Sequence, residues 1–412
     1  MSVPHQFKSI SAQGTASTHR ADIGEIWRFA GTCGPVGVVI FALSLAACGT
    51  AVAPDIAPAG NRGFAGVAAS EEPRATMAGR DVILAGGNAA DAAAAMGMVL
   101  AVTLPSRAGL GGGGACVVHD AAKGRSEVLE FLSAEPSSSP MLARGLAALQ
   151  VRYGTKSWSS AVAPAEKAAR FGFTVSKTLA DDLNQHGATL MVDATALGVF
   201  LDRRRQFLIA GADVRFPQLA DTLSKLRTEG ATALTSVPPV WSTMTLTDMN
   251  GYVLMSRTAA PSAASTGATG FVVGDKNGLA VACELSMGAA FGTGDMAHGY
   301  LSASRLNGDD LAPLIVKDAI YGQAVLMIAA SGSQASALSK VAFQDWLKDA
   351  KPYDDVRANL QSAASPDLEQ SFTSVLCHTG LGVIGSDCRS LSDLRGLGLG
   401  LTFAPENEGK RR

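Results

Sequence analysis

Gly270-Phe271-Val272-Val273, the turn Gly274-Asp275-Lys276-Asn277-Gly278, then Leu279-Ala280-Val281-Ala282-Cys283 is the stretch on which the fold turns. Two short apolar runs flank Asp-Lys-Asn-Gly, which is favourable turn chemistry, so residues 269–285 read as an antiparallel hairpin. A second hairpin has the same form, with Ala115-Cys116-Val117-Val118-His119 leading through a turn at 121–125 into Ser126–Phe131. Residues 240–255, 313–316 and 324–329 add short strands. Helical stretches lie between them. Thr76–Ala101 is Ala-rich and broken at Gly86-Gly87-Asn88, with Asp91 placed to complement the dipole of the second half. Residues 161–186 follow a helical period through Ala165, Ala168, Ala169, Leu179 and Leu183, and residues 217–229 form another helix. Helices and hairpins interleave without a strict βαβ rhythm, which predicts layered α+β with an antiparallel sheet rather than a Rossmann arrangement. No repeat of 20–50 residues is present.

Composition narrows the function. The chain has 412 residues, 47% hydrophobic and only 17% charged, with 45 glycines and a net charge of −2. It is too apolar for bulk disorder, and it has no basic excess to drive counterion release, so no nucleic-acid partner is expected.

The N-terminal region reads as a separate object. Basic residues Lys8, Arg20 and Arg28 precede Val36–Ala47, an apolar run of 12 residues ending Leu45-Ala46-Ala47 before Cys48. A membrane span needs about 20 apolar residues, whereas a secretory signal needs 7–15. Leu-Ala-Ala-Cys resembles the bacterial lipobox, which implies lipidation at Cys48. Residues 1–47 are thus expected to be a signal, 48–63 a lipidated Ala/Pro-rich tether, and 64–412 the domain. The expected location is exported and periplasmic, held to a membrane by the lipid alone.

An oxidising compartment permits disulfides. Cys377 and Cys388 are close in sequence and are the expected pair. Cys116 and Cys283 sit in apolar strand-like runs and read as free buried thiols. The histidines are scattered and neither CxxC nor HExxH occurs, so no metal and no cofactor is expected. The run Gly109-Leu110-Gly111-Gly112-Gly113-Gly114 lacks a P-loop Lys and precedes a strand rather than a helix. It reads as close backbone packing or a carboxylate-binding turn.

Gly86-Gly87-Asn88-Ala89-Ala90-Asp91-Ala92-Ala93 followed by the glycine run resembles the opening of γ-glutamyltranspeptidases, where GGNAxDAA starts a helix and SGIGGGG follows. Further matches run in family order. They are Pro164–Val175, Leu219-Ala220-Asp221-Thr222-Leu223, Gly251–Ser262, Phe291-Gly292-Thr293-Gly294 and Ser386-Asp387-Cys388-Arg389-Ser390. The resemblance implies an N-terminal-nucleophile (Ntn) hydrolase with a four-layer αββα sandwich, 64–267 corresponding to the large subunit and 268–412 to the small one. In that family a precursor cleaves itself before a Thr, whose freed hydroxyl attacks a γ-glutamyl amide with its own α-amine as base.

The implied positions carry different residues here. Without a gap, the nucleophile falls on Ala268, the family's His on Gly270, the following Ser/Thr on Val272, and a later Asn on Gly288. The Arg that clamps the substrate carboxylate falls on Leu132, which cannot form a bidentate pair. The family's α-amine-binding Asp aligns with Asp310 in Gly308-Asp309-Asp310-Leu311, but Asp309–Pro313 also aligns with its "S-S-M-S-P" oxyanion segment, where two carboxylates would repel an oxyanion. Backbone donors map to Gly112 and Gly113, and the "G-S-P-G-G" glycines to Gly332 with Ser333. A one-residue shift would make Thr269 the nucleophile; it needs a compensating bulge, for which Gly270 is a candidate. The long helical segment that precedes the family's nucleophile is missing, since Ser262 nearly adjoins Ala268.

Two functions follow. One is an enzyme acting on glutathione or another small γ-glutamyl compound through Thr269. The other is a non-catalytic, lipid-anchored relative that keeps the fold for binding or scaffolding.

Overall fold

The computed structural model describes residues 63–133, 135–230, 239–242, 244–258, 267–306, 308, 311–364, 371–383, 386–392 and 397–404. All belong to one unit, Pro58–Arg412. The Cys48 lipidation site and the apolar run before it lie outside the described residues.

The chain begins with β1 (Gly66–Ser70), α1 (Pro73–Leu84) and α2 (Ala89–Thr103), then the hairpin β2 (Gly113–Asp120) and β3 (Arg125–Phe131). Helices α3 (Met141–Tyr153) and α4 (Trp158–Phe171), the short β4 (Phe173–Thr174), α5 (Lys177–His186), α6 (Ala194–Val199), β5 (Asp213–Val214) and α7 (Pro217–Glu229) follow. Next come β6 (Val240–Ser242), β7 (Met244–Asp248), β8 (Tyr252–Arg257), β9 (Gly267–Asp275) and β10 (Leu279–Gly288). The chain continues with β11 (Met296–Ala297), β12 (Tyr300–Leu301), β13 (Leu314–Asp318) and β14 (Ala324–Ala330). It closes with α8 (Ala335–Ala342), a π-helical segment (Phe343–Lys348), α9 (Tyr353–Ala363), β15 (Phe372–Cys377), β16 (Cys388–Ser392) and β17 (Leu399–Phe403).

Two large antiparallel sheets result, ordered β17-β1-β9-β10-β2-β3-β6 and β16-β15-β14-β13-β8-β7, with β11–β12 and β4–β5 as small separate pairs. Strand alternation sorts the side chains into three cores. Phe271, Val273, Val281 and Leu285 face α2 and its neighbouring helices. Val272, Ala280 and Ala282 face Met327 and Ala329 of the other sheet. On that sheet's far side, Leu326 and Ile328 meet Leu338, Trp346 and Leu360. The layers are helix, sheet, sheet, helix: an α+β sandwich of the Ntn-hydrolase type. Because all nine residues of β9 are buried, both faces must be apolar or satisfied, which explains its near-continuous hydrophobic run.

Local chemistry sets the helix starts. The Asn88 side chain accepts from the backbone N–H groups of Ala90 and Asp91, while the Asp91 carboxylate accepts from Asn88 N at 3.1 Å, a reciprocal capping box. Asp91 also accepts from Thr155 N and Oγ1, Lys156 N and Gln150 Nε2. Burial opposes its charge, but these donors outweigh burial and hold the carboxyl below its usual range.

Two sequence expectations need correction. Residues 161–186 are not one helix: α4 ends at Phe171 because Gly172 takes φ 91°, and β4 intervenes before α5. Cys116 and Cys283 are not free thiols. They face each other directly across β2 and β10, with Cα atoms 4.1 Å apart, and are bonded. Periodicity places each on a strand but says nothing of register between strands 167 residues apart. Cys377 and Cys388 are bonded across β15 and β16.

Candidate functional site

The glycine run meets the start of β9 at one end of the sandwich. Gly113 lies opposite Ser286, and Ser286 lies opposite Ala268, so three neighbouring strands bring these residues into line. Every position from Gly111 to Gly114 is crowded by backbone. A Cβ on Gly111 would lie 2.6 Å from the Leu301 carbonyl oxygen, one on Gly112 the same distance from that of Ser286, and one on Gly113 would collide with that of Phe131. Gly112 N donates to Gly109 O at 2.9 Å. The run therefore serves close packing, and its residues close a turn and enter β2.

Ala268 is 3% exposed and points between the sheets, where its methyl group packs with Ala115, Leu311 and the half-buried Leu132. Leu132 and Ala268, the positions to which the resemblance assigns the clamp and the nucleophile, thus share one apolar plug. Beside the plug, Arg257 donates to Glu130 Oε1 at 2.7 Å, to Gly308 O at 2.7 Å and to Leu311 O at 3.0 Å. This guanidinium, nearly buried, is committed to the protein's own acceptors. It comes from β8 and its carboxylate partner from β3, 127 residues apart. No local motif signals that pair.

Thr269 points the opposite way. Its hydroxyl donates to Glu71 Oε2 at 2.9 Å, on the helix-facing side of the sheet. Glu71 also lies 3.5 Å from Arg107, which makes a two-pronged contact with Asp182 at 2.8 and 2.7 Å. Ser106 Oγ adds a 2.6 Å bond to Asp182. All five residues are buried. β9 starts at Gly267 and runs through 268 and 269 without interruption, and its bulge lies on the partner strand between Ser286 and Gly288, not at Gly270. The pairing therefore keeps the gap-free register, with Ala268 toward the inter-sheet space and Thr269 away from it.

Gly270 has its own reason. The carboxylate of Glu284, directly opposite on β10, occupies the space in front of it, and a Cβ at 270 would also meet Ala329 Cβ at 2.6 Å. Glu284 and the absent side chain at 270 therefore fit as a pair. Replacing Gly270 with Ala is expected to cost about 1–3 kcal/mol through overpacking. Chemical denaturation checks this, and a loss below about 0.5 kcal/mol would show that the sheets open there easily.

Gly332 and Ser333 follow β14 directly, and Leu311 bridges to the neighbouring Ser331, so the structure brings this turn to the same end as Ala268. Asp310 lies outside the described residues. Among the described residues no group of three or more His, Cys, Asp or Glu side chains could hold a metal, and no helix is long and apolar enough to cross a membrane. Two cavities of about 800 Å³ are lined elsewhere, one by α1 and α4 residues such as Met77 and Phe171, the other by Met249, Tyr252 and Phe343.

Comparison with known proteins agrees with this architecture. A family model described as gamma-glutamyltranspeptidase matches residues 75–141 and 133–235. The glutathione hydrolase proenzyme of Escherichia coli is 33% identical over 152 residues, 31% of this chain and 26% of that protein. Glutathione hydrolase 2 of Arabidopsis thaliana is 26% identical over 220 residues, 46% of this chain and 38% of that protein. The matched stretches thus span between a quarter and two fifths of these relatives. The cephalosporin acylase structure from Bacillus halodurans superposes with a TM-score of 0.65 over 82% of this chain and 96% of that one, at 14% identity, which is a likeness of fold. These matches make residues 75–235 similar to γ-glutamyltranspeptidases, in line with the ordered motifs and the layered sandwich.

Proposed function

We propose that this chain is an exported, lipid-anchored member of the family that does not carry out N-terminal-threonine chemistry and keeps the sandwich as a binding or scaffold protein. The observation that carries the reading is the methyl group of Ala268 at the nucleophile position, sealed by Ala115, Leu311 and Leu132. Acyl transfer needs a nucleophile with a base beside it, and a methyl group supplies neither. Leu132 removes the carboxylate clamp, and Arg257 is engaged by Glu130 and two backbone carbonyls. Two disulfides support an oxidising compartment, and Leu-Ala-Ala-Cys48 supports a lipid anchor.

The competing reading is γ-glutamyl transfer or hydrolysis through Thr269. It requires cleavage within a buried strand and release of the hydroxyl from Glu71. A denaturing gel and turnover of γ-glutamyl-p-nitroanilide decide between them. The expected result is a single chain with no break near residue 268 and no release of p-nitroaniline. Two fragments meeting at Thr269, with turnover abolished by Thr269→Ala, would overturn the proposal.

A further inference from the structure

The end of the sandwich opposite Ala268 carries an apolar tip that the fold leaves uncovered. Ile320 and Tyr321, adjacent in the β13–β14 turn, are 83% and 76% exposed. The turn beneath them is braced. Asp318 Oδ1 accepts from Ile320 N at 2.8 Å and from Tyr321 N at 2.7 Å. Ala319 N donates to Gly251 O at 2.9 Å, and the His119 imidazole bonds Gly322 O at 2.6 Å. Two large apolar side chains thus stand out on a supported turn, with most of their surface exposed.

Strand pairing fixes what surrounds them. The β2–β3 turn with the exposed Lys123 and the β9–β10 turn with the exposed Lys276 are at this same end. So is Gly63, the first described residue: Ala65 O accepts from Lys276 N at 3.1 Å. The sequence between Cys48 and Gly63 is 14 residues, with a reach of at most about 50 Å. Exposed Asp248, at the end of edge strand β7, and exposed Asp387, just before the opposite edge strand β16, make the local charge mixed.

We propose that this end is a lipid-facing surface, with Ile320 and Tyr321 entering the headgroup–acyl boundary of a bilayer. The inference rests on the lipid-anchor part of the proposed function and adds an orientation to it. Attachment at a single point limits distance but does not set attitude. A second, apolar point of attachment turns the Ala268 end, about 30 Å away along a ten-residue strand, toward solution. Tyr suits that boundary because its ring is apolar and its hydroxyl stays wet.

The test uses the full chain on vesicles of phosphatidylethanolamine and phosphatidylglycerol. In a Tyr321→Trp variant, the emission added over the parent protein should be quenched about twofold or more by lipids brominated on their acyl chains, since the ring sits at the boundary. An Ile320→Asp/Tyr321→Asp variant should lower the vesicle-bound fraction of a Cys48→Ser chain, and both side chains are exposed, so folding is unaffected. If the added emission is unquenched while the protein stays bound through Cys48, the tip proposal fails and the anchor stands. If quenching persists and Cys48→Ser changes nothing, the anchor fails and the tip stands. A dimer in solution that the double variant abolishes, without quenching, would overturn the proposal in favour of a contact between copies.

Discussion

Replacing Arg107 with methionine is expected to destabilise the protein by about 3–5 kcal/mol, because it leaves buried carboxylates without their cation. Arg107 is 2% exposed and joins Asp182 of α5 and Glu71 of the β1–α1 link. Glu71 in turn accepts from Thr269 of β9. One guanidinium therefore ties together segments that are far apart in the chain. Guanidinium denaturation followed by circular dichroism measures the effect. A second variant separates the ion pair from packing. Arg107→Met with Asp182→Leu should recover part of the loss, since a well-packed apolar pair often equals a buried ion pair. A loss below about 1 kcal/mol in the single variant would mean that the buried ion-pair network contributes little to stability.

Removing the Cys116–Cys283 disulfide by replacing both residues with alanine should cost about 3–5 kcal/mol. The bond closes a loop of sequence separation 167, and long loops lose the most entropy in the unfolded chain when closed. Both residues are fully buried between β2 and β10, so alanine also loses packing. An equal or larger drop should follow denaturation under reducing conditions, which open Cys377–Cys388 as well, with peptide mapping of the unreduced protein finding Cys116 joined to Cys283. A change below about 1 kcal/mol would show that the pairing of β2 and β10 needs no crosslink.

Much of the site is legible in the amino-acid sequence. Ala268, Gly270 and Leu132 can be singled out because their spacing from motifs that resemble the family's points to them. The fold supplies the physical counterpart. Ala268 and Leu132 form one apolar plug, and Gly270 yields its space to Glu284. The compensating bulge that a shift to Thr269 would need is absent at Gly270, and the register shift of this pair lies on β10 between Ser286 and Gly288. The direction of Thr269 is open to sequence reasoning only as an alternative, because a slip of one residue exchanges the two faces of a strand.

By itself the sequence determined the layered α+β architecture, the hairpins at 115–131 and 269–283, and the helix starts at Asn88 and Pro217. Each is local: turn residues, caps and alternation act over a few positions. Only the tertiary structure decided that Cys116 meets Cys283, that Arg257 is occupied by Glu130, that Thr269 is tied to Glu71, and that Ile320–Tyr321 shares an end with Gly63. Those facts depend on register and on which strand ends coincide, and pairing across more than a hundred residues leaves no periodic trace in the chain.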